Sequence, residues 1–221
     1  YSGGAILPTY DEVFKYNAAN PENPMPLIVP SNEQGAGFMA SGYARSTGKP
    51  GVVMVTSGPG ATNTVTPVRD AMADSIPMVI ICGQVSRQAI GSDAFQEAPV
   101  TSVMGSVAKH VFLVTDENKL AATLKAAFEV ATSGRPGPVV VDIPKDVQTA
   151  EISEEDYGDA NISAYSNRIL AIEKSRLNEE KSSKFFAHLG NSKRPLIYFG
   201  GGVISASASK ELREFVDYFN L

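Results

Sequence analysis

No run of Lys and Arg interrupts this sequence, only one cysteine and two histidines occur, and no apolar stretch reaches the length of a membrane span. Each shortage removes a class of function. With 19 basic against 24 acidic residues, a formal charge of −5 and a pI near 5.1, the chain is a poor match for nucleic acid or an anionic membrane surface, both of which are held through dense positive charge. A helical span needs about 20 mainly apolar residues, and the N-terminus shows no basic stretch leading into an apolar core, so neither a membrane helix nor a targeting segment is visible. The single cysteine, Cys82, closes the apolar run Met78-Val79-Ile80-Ile81-Cys82 and reads as a core thiol in a reducing compartment. His110 and His188 lie far from it in sequence, which leaves a nucleophilic cysteine without an evident base. A small-molecule partner is what remains.

What is present is an alternation of apolar runs and helical patterns. Val52–Thr56, Met78–Cys82, Val111–Val114 and Val139–Ile143 are short, continuous and rich in β-branched residues, as buried parallel strands are. Helical spacing fills Pro8–Ala19, the segment after Ser31, Ala61–Ala73 and Glu117–Thr132. Strand and helix alternating at this spacing predict an α/β domain, a parallel sheet with helices on both faces, over residues 1–150. Residues 151–168 are acidic, rich in Ser and Asn and read as a linker. From 169 onward a helical pattern to Leu189 and a strand over Arg194–Phe199 predict the start of a second α/β domain. The abrupt beginning and end suggest a piece of a longer protein.

Several stretches carry chemistry by their residue types. Glu33 follows the apolar, β-rich Leu27-Ile28-Val29 and opens a helical pattern, so it is expected at a strand-to-helix corner, with Gly35 and Gly37 clearing space beside it. Taken alone, it reads first as a first-turn acid complementing the helix dipole, since such acids are common there. Ser57-Gly58-Pro59-Gly60-Ala61-Thr62-Asn63 is a glycine turn between strand and helix, suited to ligand contact through backbone N–H groups. It lacks the Gly-Lys-Ser/Thr of a phosphate loop, and Asn63 breaks the dinucleotide fingerprint. Gly91–Pro99 is a polar loop centred on Phe95 and Gln96 after a strand, where ligands bind in such sheets; a plain surface loop has the same look. Arg135 precedes and Lys145 follows the strand near 140, as a capping Arg and a solvated Lys would.

Together these stretches resemble one family. YSGGAILPTYD, EQGAGFMASGYAR, GVVMVTSGPGATNTVTPVRDAMADSIPM, GQVS, IGSDAFQE and SGRPGPVVVDIPKDV are similar, in this order, to the pyrimidine-binding domain of acetohydroxyacid synthase catalytic subunits, and RPLIYFGGGVI to the opening of their central, FAD-contacting domain. The resemblance implies a thiamine-diphosphate enzyme that decarboxylates pyruvate and joins the remaining two carbons to a second 2-oxo acid, pyruvate or 2-oxobutyrate, at the first common step of branched-chain amino acid synthesis. It implies that Glu33 hydrogen-bonds the aminopyrimidine, that Gly4, Pro59 and Asn63 line that ring, and that Gln96 is a polar active-site residue. Ala5, Val85, Ser86, Ala94, Phe95 and Lys145 would form a substrate or inhibitor channel, and Arg135 would touch FAD.

The resemblance also implies Mg²⁺ bound through Gly-Asp-Gly and a later Asn on another domain. Here Gly158-Asp159 is followed by Ala160, so no metal ligand is expected in this chain, and by itself it is expected to be inactive. A homodimer or higher oligomer and a regulatory subunit are implied, with a mitochondrial location in a fungus or a cytoplasmic one in a bacterium. Alternatives are another thiamine-dependent decarboxylase or carboligase and a paralogue that binds without turnover. The chain departs from the family at Ser2 and Ser86, where proline is usual, and at Asn32, where histidine is frequent.

Overall fold

The computed structural model describes residues 2–152, 163, 166–167, 170–171 and 177–221. The Gly158-Asp159 and Asn161 positions, and with them the predicted linker apart from its edges and a few isolated residues, lie outside the described residues. Two compact units result, the first running to Tyr165 and the second from Ser166.

The first unit is an α/β sheet structure. Its order is α1 (Leu7–Ala19), α2 (Glu33–Thr47), β1 (Gly51–Val55), α3 (Pro59–Thr62), α4 (Val65–Asp74), β2 (Met78–Gln84), α5 (Val100–Gly105), β3 (His110–Leu113), α6 (Leu120–Thr132), β4 (Pro138–Pro144) and α7 (Lys145–Gln148). The described strands are all parallel in the order β1-β2-β4-β3, in a register that sets Cys82 beside Asp142 and Gln84 beside Pro144. Side chains alternate across the sheet. Met78, Ile80, Cys82 and Val140 face α2, α4 and α5 through Ala40, Val68, Ala71 and Met104. Val79, Val139, Val141 and Ile143 face α6 and α7 through Ala127, Ala131 and Val147. Both faces of β2 and β4 are therefore covered, which is why those strands are apolar at every position but a few.

Three local expectations fail. Leu27–Val29 forms no strand; Ile28 and Val29 are exposed and pair with no described residue, so α2 is entered from an extended segment. The helix expected over Ala61–Ala73 breaks into α3 and α4, because Thr64 turns its hydroxyl back onto the Ala61 carbonyl and Val65 starts afresh. The strand expected at Arg194–Phe199 is irregular, with Leu196 and Tyr198 more than nine-tenths exposed, since a strand needs neighbours for its N–H and C=O groups and the described residues offer none.

The regular elements described in the second unit are helices. Helix Glu179–Asn191 is capped by Asn178, which accepts the Lys181 N–H at 2.9 Å, and it continues two residues beyond the predicted end. Its Phe185 and Phe186 meet Phe215 and Phe219 of helix Ser209–Phe219 at ring separations of 6.0 and 5.8 Å. No helix among the described residues is long and apolar enough to cross a membrane.

Gly37 shows how closely α2 is seated. A Cβ there would stand 2.3 Å from Cγ of Pro67 on α4, a rigid ring that cannot swing away. The space cleared by this glycine is filled by α4 rather than left for a ligand. Gly37→Ala is expected to cost about 1–3 kcal/mol by overpacking, against a helix-propensity gain of roughly 1 kcal/mol. Urea unfolding of the two proteins checks this, and equal midpoints would show that α2 and α4 are not locked at this point.

Candidate functional site

Parallel strands all deliver their C-terminal ends to one edge of the sheet, and the loops that leave them there are built from the residues singled out above. After β1, Thr56 and Ser57 are buried and Gly58 takes φ +55°, a left-handed conformation with no room for a side chain, since a Cβ would lie 2.4 Å from the Gln96 carbonyl oxygen. The β1 and β2 loops therefore touch backbone to backbone. Pro59 opens α3, and Asn63 lies just past its end.

Glu33 is the first residue of α2, 8% exposed. Asn32 caps the helix, its Oδ1 accepting the Gly35 N–H at 2.7 Å, which orients the first turn. Asn63 donates from Nδ2 to Glu33 Oε2 at 2.9 Å. Two segments thirty residues apart thus meet in one carboxylate–amide pair. The expected corner position of Glu33 holds at its helical side, without the preceding strand.

The N-terminal segment lies across the same edge. Ala5 donates its N–H to Thr56 Oγ1 at 3.3 Å, and its carbonyl accepts from Gln148 Nε2 at 2.8 Å. Gly83 approaches so closely that a Cβ would be 2.5 Å from the Ala5 oxygen. Gly4, just before, has nothing within 4 Å of where its Cβ would be. Ala5 is buried, whereas Lys145, the first residue of α7, is exposed along a shallow groove with Leu7, Pro8, Tyr10, Asp11 and Phe14.

After β2 the chain makes a long loop to α5. Val85 and Ser86 are half-buried at its start, Ala94 is half-buried, and Phe95 is 88% exposed beside exposed Gln96. Phe95 anchors nothing in its own unit. Asp93 and Gln96 both take φ +56°, and Glu97 gathers the turn by accepting N–H groups of Gly91 at 2.5 Å and Ala94 at 3.1 Å. Those donors, the Gly91 N–H above all, hold the Glu97 carboxyl below its ordinary range. Arg87 ties three loops: its Nε meets Asp146 Oδ2 at 2.6 Å, and one terminal nitrogen reaches the Thr115 carbonyl at 2.9 Å and Glu117 Oε2 at 2.8 Å. That network places Ser86 and Lys145, the immediate neighbours of Arg87 and Asp146, on the same lip.

Gly4, Ala5, Pro59, Asn63, Val85, Ser86, Ala94, Phe95, Gln96 and Lys145 thus share the sheet edge, with Glu33 joined through Asn63. Arg135 does not. It precedes β4, at the opposite end of the strands, and its guanidinium donates to Ser75 Oγ at 2.8 Å and to the Met72 and Ala73 carbonyls at 3.1 and 2.9 Å, capping the end of α4.

Two residues of this edge carried no role in the sequence reading. Gln84, the last residue of β2, is 2% exposed, and Asp142 on β4 is 1% exposed; they meet at 3.0 Å. Asp142 Oδ1 has no described partner, and burial raises its carboxyl to about 7, against which the Gln84 hydrogen bond pulls only weakly. The same burial, with Asp142 beside it, pushes the Cys82 thiol well above its ordinary value, so it is inert as a nucleophile at neutral pH. The signal for Asp142 was available: a carboxylate inside an otherwise apolar strand.

Residues 1–104 match the family described as thiamine pyrophosphate enzyme, N-terminal TPP binding domain. The chain is 44% identical over 216 residues to the acetolactate synthase large subunit of Corynebacterium glutamicum, covering 98% of this chain and 33% of that protein. It is 43% identical over 219 residues to the mitochondrial acetolactate synthase catalytic subunit of Saccharomyces cerevisiae, covering 98% and 31%. To the chloroplastic acetolactate synthase 3 of Brassica napus it is 42% identical over 218 residues, again 98% and 31%. The chain spans about a third of the length of the curated relatives it matches.

Proposed function

We propose that the chain, whose residues 1–104 match the N-terminal TPP-binding domain of thiamine pyrophosphate enzymes and whose similarity to acetolactate synthases covers nearly its whole length, supplies the pyrimidine side of an acetolactate synthase catalytic subunit. The substrates are then pyruvate and a second 2-oxo acid, pyruvate or 2-oxobutyrate. The observation that carries this reading is the buried Glu33 carboxylate at the start of α2, held by one amide from Asn63.

The residues fit the cofactor's pyrimidine end. Glu33 presents a carboxylate with one oxygen engaged by Asn63 and the other taken up by no described hydrogen bond, while Gly4 has open space where its Cβ would be. Glu33, Asn63, Gly4 and Pro59 would hold the ring. Thiamine diphosphate, when bound, supplies the electron sink for decarboxylation and carbon–carbon bond formation. Glu33 would hold a proton toward a nitrogen of that ring, a role for which a carboxyl group is suited. Gln96 offers a neutral donor and acceptor to a 2-oxo acid, Phe95 an apolar wall, and Lys145 a positive charge on the approach. Ala5, Val85, Ser86 and Ala94 complete the channel rim.

No group of three or more His, Cys, Asp or Glu among the described residues could hold a metal. We assign Mg²⁺ to a diphosphate-binding part supplied from beyond this chain, by a partner subunit in a dimer or larger assembly, with a regulatory subunit as a further partner. At Arg135 the guanidinium donors are committed to the end of α4, so a flavin contact there would have to share them. We place FAD with the second unit and the residues that follow it, and we assign residues 1–150 to the pyrimidine domain and 169–221 to the start of the central one. The test of function is product analysis: the complete subunit, given pyruvate, thiamine diphosphate and Mg²⁺, is expected to form 2-acetolactate, and release of acetaldehyde alone would point to a simple decarboxylase.

Ser86 offers a check on the channel. Its φ of −56° already lies in proline's range, so Ser86→Pro is expected to fold normally. A rigid apolar ring on the rim would add contact for an aromatic channel-blocking inhibitor of the sulfonylurea type, about 1 kcal/mol or more, roughly fivefold or more in affinity, with little change in pyruvate kinetics. Inhibitor titration of both proteins decides it, and equal inhibition would remove Ser86 from the channel.

A further inference from the structure

The Gln84 side chain makes three hydrogen bonds at the end of β2. Oε1 accepts the Val85 N–H at 2.9 Å, Nε2 donates to the Ala98 carbonyl at 3.1 Å, and Nε2 also donates to Asp142 Oδ2 at 3.0 Å. Val85 is the first residue of the loop from β2 to α5, and Ala98 lies near its end, two residues before α5. One buried carboxamide therefore holds both ends of the loop, and Asp142, on the neighbouring strand, holds the carboxamide. Between those ends lie Ser86, Ala94, Phe95 and Gln96. The loop returns to the sheet edge where the Gln96 backbone packs on Gly58. Elsewhere it is gathered by Glu97 and tied by Arg87, but neither reaches its neck.

We propose that Gln84, backed by Asp142, is a positioning residue for the active site: its amide closes the neck of the 85–98 loop and so sets where Gln96 and the channel residues stand. This rests on the reading of that loop as an active-site wall. Only an amide offers a fixed donor and acceptor together without charge. Glutamate has the shape but loses the donors, and methionine has the length but neither function. Asp142 fits as the base of the clamp because it needs only to accept, which a neutral carboxyl and an asparagine side chain both do.

The experiment uses the complete subunit with Gln84→Met, and Asp142→Asn as the conservative control. Amide hydrogen exchange is followed in peptides covering 85–98 and 33–47, alongside pyruvate kinetics at saturating thiamine diphosphate. With Gln84→Met, exchange across 85–98 is expected to accelerate at least tenfold while 33–47 stays unchanged. Pyruvate KM should rise at least fivefold, with the thiamine diphosphate Kd within twofold of wild type. Asp142→Asn, which keeps an acceptor for the Gln84 amide, should not accelerate exchange across 85–98. Unchanged loop exchange, or acceleration equal in both peptides, overturns the proposal. If the methionine variant does not fold, Gln84→Glu replaces it: the protection of the 85–98 amides, taken relative to the intrinsic exchange rate at each pH, should be high at low pH, where a protonated carboxyl can still donate to Ala98, and should fall at high pH, and a protection that does not change with pH overturns the clamp. Absence of acetolactate from the wild type would count against the proposed function alone, since loop exchange reads the clamp without activity.

Discussion

Glu33→Gln in the complete subunit is expected to lower turnover by about 10²–10⁴-fold at saturating thiamine diphosphate, the range typical of a lost proton-transfer group. The substitution keeps the shape of the side chain. A glutamine oxygen can still accept from Asn63 Nδ2, and Asn32 still caps the helix through Gly35, so α2 has no reason to move. What disappears is a group that can take up and return a proton. The loss should therefore fall on kcat, with the unfolding midpoint close to wild type. Asn63→Asp sharpens the point from the other side: it would replace the donor to Glu33 by a second carboxylate, and like charges at this spacing hinder both from ionising together. Near-normal turnover in Glu33→Gln would reject the assignment of the site.

The second large effect is on stability, at Asp142. Its carboxyl titrates near 7 in the folded protein against 3.8 as the ordinary value, because it is buried with one hydrogen bond. The folded state thus keeps a proton that the unfolded chain gives up between those two pH values. Stability contributed by the neutral acid is full below about pH 4 and is lost as pH rises through about 7, by roughly 1.4 kcal/mol per unit and on the order of 4 kcal/mol in all. Asp142→Asn should remove that slope. Its amide can still accept from Gln84 and puts a neutral group where Oδ1 has no described partner. The titratable neighbour on the adjoining strand, Cys82, stays protonated throughout this range. Urea unfolding between pH 5 and 8 is the measurement. The variant should be the more stable protein at pH 8 by a few kcal/mol, and parallel pH profiles for the two would show that Asp142 is ionised at neutral pH after all.

The differing fates of these residues show what a sequence makes legible. Apolar runs of β-branched residues gave away β2 and β4, since strands covered on both faces must be apolar nearly throughout. The same rule misled at Leu27–Val29 and Arg194–Phe199, because an apolar run says that burial is wanted and not that a pairing partner is present. Glu33 and Asn63 were picked out separately, yet nothing in their spacing says that they touch; the packing of α4 on α2 through Gly37 and Pro67 brings those segments together. Arg135 carried two readings, and its geometry satisfies the capping one.

By itself, then, the sequence determined the class of fold and singled out the loops that the parallel strands deliver to one edge of the sheet. These follow from local rules: side-chain periodicity, glycine at turns, and the chemistry of single side chains. Only the tertiary structure decided that Gly37 serves a helix contact, that Gln84 joins the two ends of a loop to Asp142, and that Asp142 holds a proton near neutrality. Each of these depends on how far water is excluded and on which groups from distant parts of the chain come within about 3 Å, and neither quantity is encoded in any one stretch of residues.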